Sequence, residues 1–197
     1  MRNPLHQRWL NGSRFHLNAA PQALRPWLQE SGSLTQKLLN GCNKTFSVRI
    51  LKQQIRYAKK KEAQHLQIPL GSRLIERDVH LLCGQTPWVY AHTLLPLSSL
   101  TGHQQRLAAI GNRPLGALLF TDPSLRRGAL QIIRIPAKQS RQITHVKNHS
   151  TLWGRRSLFQ VGQHPLLVSE FFLSALPLDA HSSPPLRPRH LSKSNRR

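Results

Sequence analysis

Acidic residues are what this chain has least of: seven Asp and Glu in 197 residues, against 29 Lys and Arg, for a formal net charge of +22. The imbalance is not a tail effect, because residues 179–197 hold five Lys/Arg and one acid, contribute +4, and leave +18 on the rest. A field of that sign draws anions: a small charged molecule, a weakly held nucleic acid, or an anionic surface. A host with a basic compositional habit would also produce it, whatever the function. Cysteine is scarcer still. Cys42 and Cys83 are the only two, too few for a disulfide framework, and reduced thiols in a cytosolic protein are the expectation. The basic first ten residues lead into no apolar run, and no stretch reaches transmembrane length. A soluble, cytoplasmic protein with no signal peptide and no membrane span is expected.

Several motifs are missing as well. The chain has no P-loop, no G-x-G-x-x-G after a strand, no G-x-S-x-G and no C-x-x-C, which leaves nucleotide-fold, hydrolase-elbow and zinc-ribbon readings without support. His145 and His149 have the i, i+4 spacing of a helical metal pair. No third ligand lies near them, so they read as surface histidines and no metal site is expected.

The apolar residues concentrate between positions 46 and 178. The chain divides into a loose basic segment (1–22), one domain (23–178) and a disordered basic tail (179–197) rich in Ser, Pro and Arg. Helical spacing covers 24–30, and Ser33 is placed to cap a second short helix over 34–39 closed by Asn40-Gly41. Strands read over 45–51, 74–83, 88–95, 128–135, 153–161 and 164–173, with a tight turn at Gly162-Gln163. Thr101 caps a helix to Ile110, and Pro114 opens another through Leu119. Lys59-Lys60-Lys61 reads as a solvated loop or ragged edge strand, and 136–150 as an inserted polar loop. About six strands joined mostly by hairpins, with helices grouped on one side, make an α+β single domain built on an antiparallel sheet.

Two strands carry charge where apolar residues belong. In Leu166-Leu167-Val168-Ser169-Glu170-Phe171-Phe172-Leu173, alternation puts Glu170 on a face with Leu166, Val168 and Phe172. In Leu74-Ile75-Glu76-Arg77-Asp78-Val79-His80-Leu81-Leu82-Cys83, Arg77 shares a face with Ile75, Val79, Leu81 and Cys83, while Glu76, Asp78 and His80 take the expected solvent side. Isolated charges on apolar faces cost several kcal/mol unless something pairs with them. An inward Arg77 and an inward Glu170 are either a buried ion pair or the two polar ends of a ligand cavity. The adjacent Arg155 and Arg156 face opposite ways on a strand, so one of them can join Arg77 inside; the alternative is a sheet edge with two exposed charges.

Several motifs in order resemble the chorismate pyruvate-lyase family. They are Glu76-Arg77 before a hairpin with Pro87-Trp88; Arg113-Pro114-Leu115-Gly116 with Leu119-Phe120-Thr121; Leu152-Trp153-Gly154-Arg155-Arg156-Ser157; and Pro165 through the Glu170 strand. The resemblance runs from about residue 24 to 178. It implies an antiparallel α+β fold with a buried ligand cavity, and cofactor-free conversion of chorismate to 4-hydroxybenzoate and pyruvate, the first step of bacterial ubiquinone synthesis. It further implies that Arg77 binds the ring carboxylate, that Glu170 meets the ring hydroxyl, that Leu115 supplies backbone contacts, and that Leu34 covers the site from a helical flap. The family commonly has Met at that last position, and Leu fills a similar volume. Arg155 or Arg156, whichever faces inward, is expected to neutralise the enolpyruvyl carboxylate. Chorismate is thus the expected partner of a monomer, with weak anion or nucleic-acid binding from the surplus charge. Two other readings compete: a small-molecule-sensing effector domain of the same fold, for which the stretch before residue 24 is too short to hold a DNA-reading domain, and a basic nucleic-acid-binding protein, which would interleave exposed aromatics with its cations.

Overall fold

Period-two alternation becomes one antiparallel sheet in the computed structural model, which describes residues 9–11, 19–100, 107, 109–146 and 150–178. In chain order the elements are β1 (Leu10–Asn11), α1 (Arg25–Leu28), α2 (Leu34–Gly41), β2 (Phe46–Tyr57), α3 (Lys60–Leu66), β3 (Arg73–Cys83), β4 (Thr86–Pro96), α4 (Leu115–Leu119), β5 (Leu125–Arg127), β6 (Gln131–Ile135), α5 (Ala137–Thr144), β7 (Leu152–Val161) and β8 (His164–Phe172). Strand order is β1-β6-β7-β8-β4-β3-β2, with β5 pairing β7. The hairpins β3–β4 and β7–β8 form its centre, and each turns at a glycine with positive φ, Gly84 at +61° and Gly162 at +60°.

The expected α+β antiparallel class is what forms. Among the described residues eight strands stand where about six were read, because β1 and β5 have two and three residues and are too short to show a period. The helices do not group on one side. Leu28 of α1, Leu34 and Leu38 of α2 and Leu119 of α4 pack on the face that carries Val79, Ala91 and Val168. On the opposite face, Leu66 of α3 packs with Leu74, Leu94 and Leu167, and Ile143 of α5 packs with Tyr90, Ile133 and Phe171. Both faces of the sheet are therefore covered.

That double cover overturns the solvent side assigned to Glu76, Asp78 and His80, all of which are buried. Each is satisfied there. Glu76 takes hydrogen bonds from Gln54 and Arg56 and pairs with Lys52, Asp78 pairs with His92, and His80 Nε2 lies 2.7 Å from the Thr144 carbonyl. The polar loop expected over 136–150 holds α5 instead. Its buried side is Ser140, Ile143 and Thr144, so a single large apolar residue marks the amphipathic face and the period is invisible in sequence. His145 ends it at φ +58° and packs against Tyr90, whereas His149 lies outside the described residues. Lys59 to Lys61 open α3, where the Lys59 backbone N–H donates to Glu62. Part of the loose 1–22 segment is in the fold: Trp9 is buried against Phe171, and β1 pairs with β6. The helix read from Thr101 lies mostly outside the described residues.

The cysteines also differ from expectation. Cys42 and Cys83 are joined, with Cα atoms 5.6 Å apart. Forty-one positions separate them in sequence, but Cys42 follows α2 directly, and the β2–β3 ladder starts with Phe46 opposite Cys83. The bond ties the end of α2 to the sheet.

Two expected outcomes follow from this packing. A Cβ on Gly154 would lie 2.6 Å from the buried Phe171 ring across the β7–β8 ladder. Gly154→Ala should therefore lower stability by about 1–3 kcal/mol, seen as a lower denaturant midpoint; an unchanged midpoint would mean the ring can move aside. For Glu76, burial raises the carboxyl pKa, but the bonds from Arg56 and Lys52 outweigh burial and hold it at about 2, below its ordinary 4.5. A depressed carboxyl stabilises the fold above the unfolded value and loses that contribution as pH falls. Glu76→Gln should cost up to about 3 kcal/mol at neutral pH and flatten the dependence of unfolding free energy on pH between 4.5 and about 2. A parallel pH profile for the two proteins would contradict the assignment.

Candidate functional site

The sheet face under α1, α2 and α4 does not close completely. Register sets what it exposes: on β3, β4 and β8, Val79, Ala91 and Glu170 are successive neighbours, and Glu170 is opposite Arg155 on β7. One step along, Arg77, Thr93, Val168 and Ser157 make the next row. Leu34 and Thr35 of α2, and Leu115, Gly116 and Leu119 of α4, roof over these rows. The helices touch closely, since a Cβ on Gly116 would lie 2.7 Å from Thr35 Oγ1. What remains is a cavity of about 580 Å³ of empty space, counted to its open mouth, with mostly apolar walls and a few convergent charges.

Arg77 is only 5% exposed. One Nη2 donates to the Gly111 carbonyl at 2.8 Å and, more loosely, to that of Arg113 at 3.5 Å; Nε is buried without a partner among the described residues. Burial pushes its pKa down and no acid offsets it. The acid shortage explains why. Glu30, Glu62, Glu76 and Glu170 each pair with another cation, Asp78 bonds to His92, Asp122 caps its own turn through Ser124, and none reaches Arg77.

Glu170 does not pair with Arg77 either. Its Oε2 accepts from Arg155 Nε at 2.7 Å, while Oε1 has no partner among the described residues, and the side chain is 17% exposed into the cavity. Arg155 is fully buried, and its Nη1 donates to the carbonyls of Trp27 at 2.9 Å and Glu30 at 2.7 Å. The guanidinium thus joins β7 and β8 to the end of α1. Of the expected pair, then, Arg155 faces the cavity. Arg156 does not: it points to the other face, bonded to Gln131 at 2.6 Å and His65 at 2.7 Å and stacked over Trp9 at 4.6 Å, with burial lowering its pKa to about 10. Adjacent residues on a strand take opposite faces, and both faces here are covered.

One cavity residue carried no signal in sequence. Arg127 of β5 lies opposite Phe159, stacks on that ring at 5.2 Å, and donates to Ser157 Oγ at 2.9 Å and to the carbonyls of Glu30 and Ser31 at 2.9 and 3.1 Å. It is one arginine among many in a three-residue strand, and nothing local distinguishes it. Glu30 itself is held by Lys37 Nζ and the Gly32 N–H, which outweigh burial and keep its carboxyl below the ordinary range. The site residues read as Arg77, Glu170, Leu34, Leu115 and Arg155 therefore come together, Arg127 joins them, and Arg156 is excluded. Three guanidiniums against one carboxylate give the cavity an excess of two positive charges, suited to a small dianion whose remaining surface is apolar.

Comparison with known proteins bears on the fold and the family. Solved transcriptional regulators have a similar fold: PhnF from Mycobacterium smegmatis, at a TM-score of 0.55 and 11% identity over 74% of this chain and 65% of that one, and a GntR-family regulator from Bacillus cereus, at 0.50 and 16% over 66% and 92%. Sequence relatives are much nearer. The "Probable chorismate pyruvate-lyase" of Chromohalobacter salexigens is 39% identical over 78% of this chain and 82% of its own length. Its namesakes in Methylococcus capsulatus and Pseudomonas aeruginosa are 36% identical over 78% and 96%, and 34% identical over 88% and 94%. The family model for chorismate lyase matches residues 5–179, and this chain belongs to that family.

Proposed function

We propose that this protein is a chorismate pyruvate-lyase that converts chorismate to 4-hydroxybenzoate and pyruvate, at the first step of ubiquinone synthesis and in the cytoplasm. The observation that carries the reading is Arg77: a buried cation left without an acid, opening into a cavity that holds two further arginines and one carboxylate. Chorismate has two carboxylates, one on the ring and one on the enolpyruvyl ether. Its charge of minus two matches the cavity's excess. Arg77, with Nε unused, takes the ring carboxylate in a charge-assisted grip that relieves its own desolvation. The enolpyruvyl carboxylate then falls to Arg127 and Arg155, which line the same cavity. Between them, Glu170 Oε1 accepts the ring hydroxyl, and Arg155 keeps the carboxylate turned toward it.

The reaction breaks the ether C–O bond and removes the hydrogen from the neighbouring hydroxyl-bearing carbon. The ring becomes aromatic, and the departing enol takes up a proton on its methylene carbon to give pyruvate. Atoms balance with no oxidant and no cofactor. Because aromatisation supplies the driving force, the protein contributes mainly orientation and screening of the two carboxylates. Leu34, Leu115 and Leu119 keep water from the reacting atoms.

Arg77→Met should reduce kcat/KM for chorismate by about 100-fold or more while leaving the thermal midpoint unchanged or raised, because an unpaired buried charge is removed. Near-normal formation of 4-hydroxybenzoate, followed by its absorbance, would overturn the assignment. Glu170→Gln keeps a hydrogen-bond acceptor for Arg155 and should lower kcat by about 10²-fold with little change in KM. Should purified wild-type protein bind chorismate without turning it over, the cavity would be that of a sensing module instead.

A further inference from the structure

The most exposed large apolar side chains among the described residues gather at one corner of the sheet, where β2 ends and the turn into β3 begins. Leu70 is 72% exposed, Tyr57 69% and Ile55 52%. Backbone bonds bring them together. Tyr57 is opposite Arg73 at the end of the β2–β3 ladder, the Ala58 N–H donates to the Ser72 carbonyl at 2.8 Å, and Ser72 closes a turn on Pro69 that leaves Leu70 and Gly71 at its tip. Among the described residues β2 is the outermost strand, and no further described strand covers this side. The surrounding charges are all of one sign. Lys59, Lys60, Lys61 and Arg73 are exposed, whereas the neighbouring acids Glu62 and Glu76 are buried and bonded to Arg56, and Glu76 also holds Lys52.

We propose that this corner docks the protein on an anionic lipid surface. Lysines ringing a projecting aliphatic turn match both layers of such a surface: cations at the phosphate level, and Leu70 and Tyr57 in the apolar boundary beneath. A nucleic acid fits less well. Its phosphates would engage the lysines but leave Leu70 and Ile55 without a role, and Tyr57 alone offers no series of rings for stacked bases.

The test uses the full-length chain and vesicles of phosphatidylcholine with or without phosphatidylglycerol, read by co-sedimentation. Wild-type protein should sediment only with the anionic vesicles. Replacing Lys59, Lys60 and Lys61 together by Gln should weaken that binding by about 100-fold, at roughly fivefold per cation. Tyr57→Ser with Leu70→Ser should weaken it at least about tenfold while leaving binding to random-sequence duplex DNA unchanged. All five side chains are exposed, so both variants should keep the wild-type melting profile. Three results would each overturn the proposal: wild-type protein that stays in the supernatant, variants that sediment as wild type does because the basic tail is responsible, or lysine-dependent binding that is tighter to DNA than to vesicles.

Discussion

The Arg155 guanidinium contacts the Glu170 carboxylate and the carbonyls of Trp27 and Glu30 at the same time. Those contacts fix the one acid in the cavity, join the two central strands that carry the pair, and anchor the segment from which α2 starts. Arg127 strengthens the anchor by binding the Glu30 and Ser31 carbonyls from β5. The flap therefore hangs from two arginines on the sheet, and the Cys42–Cys83 bond holds its far end. Removing a partner from a buried charge pair typically costs about 3–5 kcal/mol. Here the loss would fall on the site's geometry as well as on stability, because the same atoms serve both.

Scarcity of acid governs how charge is distributed through the interior. On the far face, Glu62 and Glu76 share Arg56, Asp78 pairs with His92, and Arg156, which has no acid, is bonded to the Gln131 and His65 side chains and stacked on Trp9. On the cavity face the matching stops at Glu170 and Arg155. Arg77 has only backbone carbonyls to bind, which is an arrangement a structural network would avoid. A buried guanidinium that pairs with no acid is stable only if the rest of the fold outweighs its desolvation, and a bound carboxylate would offset that penalty. The two faces thus separate a closed polar network from an open one.

How far the sequence revealed this depended on contrast. Arg77 and Glu170 stand out because each interrupts an apolar alternation, which turns both toward the core. The central strands, the Ser33 cap and the α4 start were legible for the same reason, since local pattern and tertiary context agree there. Contrast failed for Arg127, which is one basic residue among many, and for α5, whose inner side holds small polar groups. It misled at Glu76, Asp78 and His80. Alternation reports which residues share a face, but it does not say whether a helix will cover that face. Arg155 and Arg156 were undecidable for a related reason: with both faces buried, each arginine is inside, and only the register with Glu170 tells them apart.

The cysteines carry the same lesson in another form. Counting them and inferring the compartment argued for free thiols, yet the β2–β3 register alone brings Cys42 beside Cys83 once α2 ends where Asn40-Gly41 stop it. The consequence reaches the cavity. α2, a helix of eight residues, contributes Leu34 and Thr35 to the roof at one end and is followed directly by Cys42 at the other. A helix that short has little intrinsic stability, so its position is set by what holds its ends. Ser33 and the arginine-bound carbonyls fix one end, the disulfide fixes the other, and the hydrophobic side facing Val79 and Leu81 fills the space between. The roof over the cavity is therefore placed by the same arginines that line it, so the position of α2 and the charge beneath it depend on one set of contacts.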